Sequence, residues 1–158
     1  MNEIFFSYFE SPIGFIEIIA DKNNLKSVNF IEELPEEKRK GNKITISTRK
    51  QLKEYFAGKL KKFNVPISFN GTEFQNKVWK ALTGIPYGSV VTYSDISKII
   101  GNDKSVRAVG SANAKNPISI IVPCHRVIAK SGKLSGYAGG IERKEWLIEH
   151  EAKTIGKK

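Results

Sequence analysis

The spacing of the apolar residues changes along the chain, and this change restricts the possible folds more than any other feature of the sequence. Up to residue 31, short stretches of strand-like composition are separated by the turn-forming pairs Ser11-Pro12 and Asn23-Asn24. This pattern predicts a three-stranded antiparallel sheet. Beyond residue 48, most apolar residues recur at helical spacing. The sequence therefore predicts an α/β N-terminal domain, an antiparallel sheet plus a helix, followed by a mostly α C-terminal domain.

A capping box marks the start of the first predicted helix. Residues 32–43 are crowded with charged residues, proline and glycine, and we interpret them as an exposed loop. Thr48, with Gln51 three positions later, has the pattern of a capping box, and Gly58 stands where a C-terminal cap is expected. We therefore predict a helix between these two signals.

A second capping box, Thr72 with Gln75, directly follows the turn-forming pair Asn70-Gly71. The apolar residues after this box keep helical spacing, so a new helix is predicted to begin here. We therefore place a domain boundary at this turn. It gives an N-terminal domain of residues 1–70 and a C-terminal domain of residues 71–158.

The composition is that of a globular protein with a strong basic excess. Hydrophobic residues make up 40% of the 158 residues and charged residues 27%, unlike a disordered chain. The formal net charge is +10, from 26 Lys and Arg against 16 Asp and Glu. This excess favours a polyanionic partner, with nucleic acid as the leading candidate. The alternative, that the charge serves solubility alone, stays open.

Membrane insertion and secretion are not expected from the sequence. The longest mostly apolar runs, residues 15–20 and 118–123, are far too short to span a bilayer. The first residues, Met1-Asn2-Glu3, lack the charged and apolar regions of a signal peptide. We therefore expect a cytoplasmic protein without a membrane partner.

The sequence contains a single cysteine, Cys124, which excludes an internal disulfide and a structural zinc site of the multi-cysteine kind. The only imidazoles are those of His125 and His150, and no His-Glu-x-x-His spacing occurs. We therefore predict neither a metal nor a cofactor.

Two short helices joined by a turn are predicted in the C-terminal half. Residues 93–100 and 105–114 have helical patterns, and Gly101-Asn102 between them is a turn signal, which is the spacing of a helix-turn-helix. One face of the second helix carries a single cation among very small residues, namely Arg107, Gly110, Ser111 and Ala114. Two readings stay open: the small residues pack against another helix, or the helix lies close to DNA phosphates with Arg107 projecting into a groove or the base stack.

Cys124 and His125 follow the apolar run of residues 118–122, which we interpret as a buried strand that Pro123 ends. A lone cysteine is by default a small buried hydrophobe. Here the neighbouring imidazole can take the thiol proton, directly or through a water, and so produce a nucleophilic thiolate. Glu151 lies four residues after Leu147, on the apolar face of the predicted final helix, 141–153, and is therefore expected to point inward and partner the histidine.

A glycine-rich segment, residues 131–140, lies between the cysteine and the final helix and presents one aromatic residue, Tyr137. It is either a flexible linker or a loop that closes on a flat ligand and offers it backbone N–H groups.

The run Ile121-Val122-Pro123-Cys124-His125-Arg126-Val127 resembles the active-site motif of the O6-alkylguanine-DNA alkyltransferases, also called methylated-DNA–protein-cysteine methyltransferases. The resemblance extends over residues 74–151, whereas the first 70 residues match only in length and strand order. Further matching segments are Pro86-Tyr87-Gly88, Thr92-Tyr93, Arg107-Ala108-Val109-Gly110, Asn116-Pro117, Tyr137-Ala138-Gly139-Gly140 and Lys144-Glu145-Trp146-Leu147.

The resemblance implies catalytic roles for five residues. Cys124 is the alkyl acceptor, His125 the base that acts through water, and Glu151 the acid that orients His125. Asn116 braces the turn that holds the cysteine. Tyr93 aids nucleotide flipping and donates a hydrogen bond to the departing guanine.

The resemblance also implies the residues that meet DNA and the base. Arg107 matches the arginine that fills the gap left by the flipped nucleotide. Contacts to DNA are expected from Tyr93, Ser105, Arg107, Gly110, Ser111, Ala114 and Arg126. The base pocket is expected to include Val127, Tyr137, Ala138, Gly139 and Lys144. Relatives often have serine at position 138, so any contact of that hydroxyl is lost here while the backbone contacts remain.

The fold and partner follow from the same resemblance. The first domain should be ribonuclease-H-like, and the second mostly helical with a helix-turn-helix. The implied partner is double-stranded DNA containing O6-alkylguanine, bound through the minor groove by a monomer. Some relatives carry zinc in the first domain, but this chain has no cysteine before Cys124, so none is expected here. The implied reaction is an irreversible, single-turnover transfer.

Two other functions remain as alternatives. A cysteine hydrolase could use the same Cys-His-Glu trio, and it would turn over many times through a thioester. An alkyltransferase-like protein would bind the lesion without repairing it, although such relatives typically replace the acceptor cysteine.

Overall fold

The computed structural model describes residues 3–37 and 39–156. The chain divides into two compact units, the first ending at Ser68 and the second starting at Phe69. No helix among the described residues is long and apolar enough to cross a membrane.

The first unit contains the predicted antiparallel meander. Its strands are β1 (Phe5–Ser11), β2 (Gly14–Ala20) and β3 (Leu25–Ile31), in the spatial order β1-β2-β3. Local hydrogen bonds close both turns: the Ser11 hydroxyl donates to the Gly14 carbonyl at 2.6 Å, and Asp21 Oδ1 accepts from two following backbone N–H groups. The sequence-based prediction of this sheet is confirmed.

Helix α1 (Lys43–Phe56) begins earlier than predicted. Asn42 is its N-cap: the Asn42 side chain accepts from the Thr45 backbone at 2.9 Å, and the Thr45 hydroxyl accepts from the Asn42 backbone. Thr48 is instead a buried interior residue whose hydroxyl donates to the Ile44 carbonyl at 2.8 Å. The predicted capping box at Thr48 and Gln51 is therefore wrong. The predicted loop of residues 32–43 is wrong at its last residue, Lys43, because that residue begins the helix.

Helix α1 covers the sheet and completes the core of this unit. It packs against β1 and β2. The buried apolar side chains of the sheet and of this helix include Ile16, Ile18, Leu25, Val28, Leu52 and Tyr55. Burying one such side chain stabilises the fold by about 1.5–3 kcal/mol, so these side chains together hold the helix on the sheet.

The second unit is mostly helical. Its helices are α2 (Glu73–Leu82), α3 (Tyr93–Ile99), α4 (Val106–Ala114) and α5 (Ile141–Thr154). Two short strands, β4 (Val91–Thr92) and β5 (Val127–Ile128), pair in parallel. The capping box of Thr72 with Gln75 opens α2 as predicted.

Helices α2, α3 and α4 pack on one another. The buried Trp79 indole N–H donates to the Ala112 carbonyl at 2.8 Å and so fixes α2 against α4. Between α3 and α4, the hydroxyls of Ser97 and Ser105 both donate to the Asn102 carbonyl, which closes the turn. Two helices joined by a tight turn therefore occupy the predicted position.

Candidate active site

Cys124 opens a single turn of 3-10 helix, Cys124–Arg126, directly after Pro123. The residue is only 2% exposed. Its backbone carbonyl accepts a hydrogen bond from the Asn113 side-chain amide at 3.3 Å. The thiol is thus held in a buried turn.

The segment before Cys124 is a buried turn, not the predicted strand. Ile120, which is 1% exposed, has a positive φ of 73°, a conformation that a β-branched residue rarely adopts. The Asn116 side chain compensates: its amide N–H group donates to the carbonyls of Ile118 and Val122, and its oxygen accepts from the Ile118 backbone. The prediction for residues 118–122 was wrong because an apolar run indicates burial but not backbone conformation. Asn116 does brace the turn, as expected.

His125 and Glu151 form a buried pair below the cysteine. The distance from His125 Nε2 to Glu151 Oε2 is 2.6 Å, and the two residues are 0% and 1% exposed. An ionised carboxylate can only accept, so Nε2 carries the proton and Nδ1 has the free lone pair. Nδ1 is buried and has no hydrogen-bond partner among the described residues. The prediction that Glu151 points inward and meets His125 is confirmed.

Arg126 is part of this buried network. Its guanidinium donates to both oxygens of Glu151, at 2.8 and 3.1 Å, and to the Ile85 carbonyl at 2.7 Å. The residue is 7% exposed, so these donors are directed into the protein and not toward a surface. The expected contact of Arg126 with DNA stays a prediction, and its partnership with Glu151 was not foreseen. Only the adjacency of Arg126 to His125 hinted at it.

The surroundings set the protonation states of the three groups. Burial raises the pKa of the Cys124 thiol to about 11, against the opposing effects of Asn116 and Lys144. Burial lowers the pKa of His125, although Glu151 opposes this. Burial also acts to raise the pKa of Glu151, but the hydrogen bonds and charges of His125 and Arg126 outweigh it and hold that pKa well below its usual range. At neutral pH the site therefore holds a thiol, a neutral imidazole and a carboxylate.

Tyr93, at the start of α3, lies beside the same pocket. It is 9% exposed, and its hydroxyl donates to the Ser135 carbonyl at 2.8 Å. Burial raises the pKa of Tyr93, so the phenol stays protonated and able to donate. The ammonium of Lys144, on α5, donates to the same carbonyl at 2.6 Å. Ser135 itself was not predicted as a site residue, because its contribution is a backbone oxygen.

The remaining predicted pocket residues lie on both sides of the glycine-rich segment. Val127 is buried in β5, and Tyr137 is 8% exposed. Ala138 is exposed, and the Gly139 carbonyl accepts from Arg143 at 3.0 Å. The segment is therefore tied to α5 rather than being an unattached linker.

The predicted DNA-contacting residues of α4 fall into two groups. Arg107 and Ser111 are exposed, and Gly110 and Ala114 are partly exposed, so all four lie on the outer side of the helix. Ser105 is only 8% exposed, and its hydroxyl belongs to the turn with Asn102. The expected contact of Ser105 with DNA stays a prediction.

Packing inside the protein does not require glycine at position 110. A Cβ added there would meet only the Tyr93 ring, at 3.9 Å, which is an ordinary contact. Glycine inside a helix costs about 1 kcal/mol relative to alanine. The contacts within the protein therefore give no reason for glycine rather than alanine at this position.

The described residues contain no group of three or more His, Cys, Asp or Glu side chains that could hold a metal ion.

Comparison with known proteins gives concordant matches to both halves of the chain. Residues 4–69 match the family model described as 6-O-methylguanine DNA methyltransferase, ribonuclease-like domain. Residues 73–153 match the model described as 6-O-methylguanine DNA methyltransferase, DNA binding domain.

Individual relatives match over nearly their full length. A methylated-DNA–protein-cysteine methyltransferase of Methanosarcina acetivorans is 49% identical over 153 residues, which cover 94% of this chain and 98% of the relative. The crystal structure of Mycobacterium tuberculosis O6-methylguanine methyltransferase is 42% identical, with a TM-score of 0.87 over 96% of this chain and 94% of that one. The structure of Mycobacterium tuberculosis OGT in complex with DNA is 43% identical, with a TM-score of 0.83 over 93% of each chain.

Proposed function

The chain belongs to the 6-O-methylguanine DNA methyltransferase family, and we propose that Cys124 is the residue through which it repairs methylated DNA by direct reversal. The observation that carries this proposal is the position of the only cysteine. It lies in a buried turn beside a histidine whose second ring nitrogen is held by a carboxylate. Double-stranded DNA containing O6-alkylguanine is the substrate that fits this arrangement.

His125 acts as the base for the thiol. A thiol with a pKa of about 11 is almost entirely protonated at neutral pH, and the thiolate is the nucleophile. The lone pair of His125 Nδ1 has no hydrogen-bond partner in the described part of the chain, so it can receive the thiol proton through one bridging water. Glu151 fixes the tautomer with Nδ1 free, and Arg126 keeps Glu151 ionised.

The thiolate then attacks the alkyl carbon. The new S–C bond of a thioether forms as the bond from this carbon to guanine O6 breaks, and the departing guanine takes up a proton. Tyr93 is the donor for that guanine. Its hydroxyl must first leave the Ser135 carbonyl, which keeps the hydrogen bond from Lys144.

The alkyl carbon is reached only when the nucleotide is rotated out of the helix, which costs a few kcal/mol. The outer side of α4 supports this step, since its small residues let the backbone approach the duplex and Arg107 can fill the vacated position. We assign this helix to the minor groove, and we take the protein to act as a monomer in the cytoplasm.

The protein is consumed by the reaction. The thioether on Cys124 has no hydrolytic exit, and the sequence contains no second thiol that could resolve it. The yield of repaired guanine should therefore equal the amount of active protein.

Titration of the protein with excess duplex containing O6-methylguanine tests this proposal. The repaired base should reach a plateau at one equivalent, and Cys124→Ser should bind the duplex with similar affinity but repair nothing. Repeated turnover would instead support a cysteine hydrolase, and binding without repair by the unaltered protein would support a lesion-binding role.

A further inference from the structure

Lys144 is a fully buried cation that the mechanism above uses only as a tether for Ser135. It is 0% exposed, and its ammonium donates to the Ser135 carbonyl at 2.6 Å and contacts the Tyr93 hydroxyl at 3.5 Å. The ammonium also lies 5.7 Å from the centre of the Tyr93 ring. Within the described part of the chain, none of its recorded contacts is with a carboxylate.

This arrangement is costly without an anion. Buried lysines are normally paired, because a carbonyl and a phenol solvate an ammonium but do not balance its charge. Burial accordingly lowers the pKa of Lys144 to about 8, so the group is still mostly charged at neutral pH. The carboxylate of the site, Glu151, is bound by His125 and Arg126, so the fold maintains a positive charge at Lys144 without a carboxylate hydrogen-bonded to it among the described residues.

Helix α5, which carries Lys144, packs against the 3-10 turn that begins with Cys124, and the thiol of this residue supplies a negative charge when it loses its proton. Lys144 lowers the pKa of Cys124, and Cys124 raises that of Lys144, so each ionised group favours the other. Lys144 has the opposite effect on His125, whose protonated form it disfavours. The ammonium thus favours negative charge on the sulfur and discourages the proton from remaining on the imidazole. The titratable groups around it are Tyr93 from α3, and Cys124 and His125 from the 3-10 turn.

We propose that Lys144 is a positioning residue that stabilises the Cys124 thiolate electrostatically, held at the required place by the Ser135 carbonyl and the Tyr93 hydroxyl. The proposal rests on Cys124 being the nucleophile of the proposed function. The proposal adds to that function the claim that the charge of Lys144, and not its shape, sets the reactivity of the thiol.

The reaction of Cys124 with iodoacetamide tests this charge effect without DNA. The chain has one cysteine, so mass spectrometry of the product is unambiguous. Lys144→Met removes the charge at similar volume, and we expect its reaction at neutral pH to be about tenfold slower, the change for one pH unit in thiol pKa. Lys144→Arg should keep most of the rate. The difference between wild type and Lys144→Met should narrow as pH rises through about 8, where Lys144 loses its own charge.

Lys153→Met is the matched control. Lys153 is an exposed cation on the same helix, outside the site described above, and its removal should leave the thiol rate unchanged. Equal rates for wild type and Lys144→Met at every pH would overturn the proposal. So would equal losses in Lys144→Met and Lys144→Arg with no pH dependence, because they would indicate a purely structural role.

Methyl transfer from free O6-methylguanine, measured on the same variants, separates this inference from the proposed function. We expect the transfer rates to follow the iodoacetamide rates. If iodoacetamide shows the charge effect but wild type transfers no methyl group, the proposed function fails while the role of Lys144 in thiol ionisation stands.

Discussion

Glu151 carries a negative charge that two neighbours share, since its oxygens lie 2.6 Å from His125 Nε2 and 2.8 Å from Arg126 Nε. Replacement by glutamine retains the shape but removes the charge. His125 then loses the partner that fixes its tautomer and stabilises its protonated form.

We expect Glu151→Gln to slow single-turnover methyl transfer by about a hundredfold, which is the lower end of the range of general acid–base effects. Affinity for the damaged duplex should change little, because Glu151 is 1% exposed. Glu149→Gln is a suitable control, since Glu149 is exposed on the same helix. An unchanged transfer rate in Glu151→Gln would remove this residue from the site.

At the level of single elements, α4 shows a conflict between helix stability and the proposed approach of DNA. Gly110→Ala should increase the free energy of unfolding by about 1 kcal/mol, because alanine is the better helix former and the Tyr93 ring tolerates the methyl group. The same substitution should weaken duplex binding while leaving transfer from the free base nearly normal. Chemical denaturation and binding titrations measure the two effects. Unchanged duplex affinity would show that DNA does not approach this helix at Gly110.

Arg107, on the same helix, allows the flipping role to be tested separately from binding. Arg107→Ala should slow repair of the duplex at saturating protein, because the flipped state loses the side chain that fills the vacated position. Transfer from free O6-methylguanine needs no flipping and should stay near the wild-type rate. A side chain that only contacted a phosphate would mainly reduce the salt dependence of binding, by about one unit of slope. Equal slowing on both substrates would assign Arg107 to the fold or the pocket instead.

The sequence predicted those elements whose signals are local and unambiguous. The prediction of a capping box at Thr72 was correct, because the Thr72 side chain accepts from the backbone N–H of Gln75 and the Gln75 side chain accepts from that of Thr72. The predicted capping box at Thr48 was wrong because a threonine inside a helix can donate to the carbonyl four residues earlier. The actual capping box, Asn42 with Thr45, is a less familiar form of the same motif.

Side-chain direction was predictable on helices but not in turns. Glu151 could be placed because residues four apart share a helix face, and Leu147 marks the buried one. The direction of Arg126 could not be predicted, because a single 3-10 turn has no such repeat. Its inward orientation depends on a hydrogen bond to Glu151, which is 25 residues away in the sequence. Lys144 was predicted as a pocket residue by resemblance alone. No sequence pattern indicates that this lysine is buried without a carboxylate among its contacts in the described residues.

At the scale of the whole molecule, stability should decrease on the acid side. The pKa of His125 is lowered by burial, so only the unfolded chain takes up its proton just below 6.5, and this favours unfolding. The pKa of Glu151 is also lowered in the folded protein. Its contribution is therefore present above the unfolded value of 4.5 and is lost as pH falls below it.

Melting temperatures measured from neutral to acid pH should therefore fall, first through the region of 6.5 and then more steeply below 4.5. The steeper part should be weaker in Glu151→Gln than in wild type, because glutamine does not titrate. Parallel curves for the two proteins would show that Glu151 does not link folding to pH.

The central claim is that one alkyl group moves from DNA to Cys124 and remains there. Intact-mass measurement after incubation with a duplex containing O6-methylguanine tests it most directly, followed by peptide mapping of the modified residue. The account predicts the addition of a single methyl group, mapped to Cys124, with restored guanine in the DNA and no modification of Cys124→Ser. An unmodified protein beside restored guanine, or a methyl group on any other residue, would contradict it.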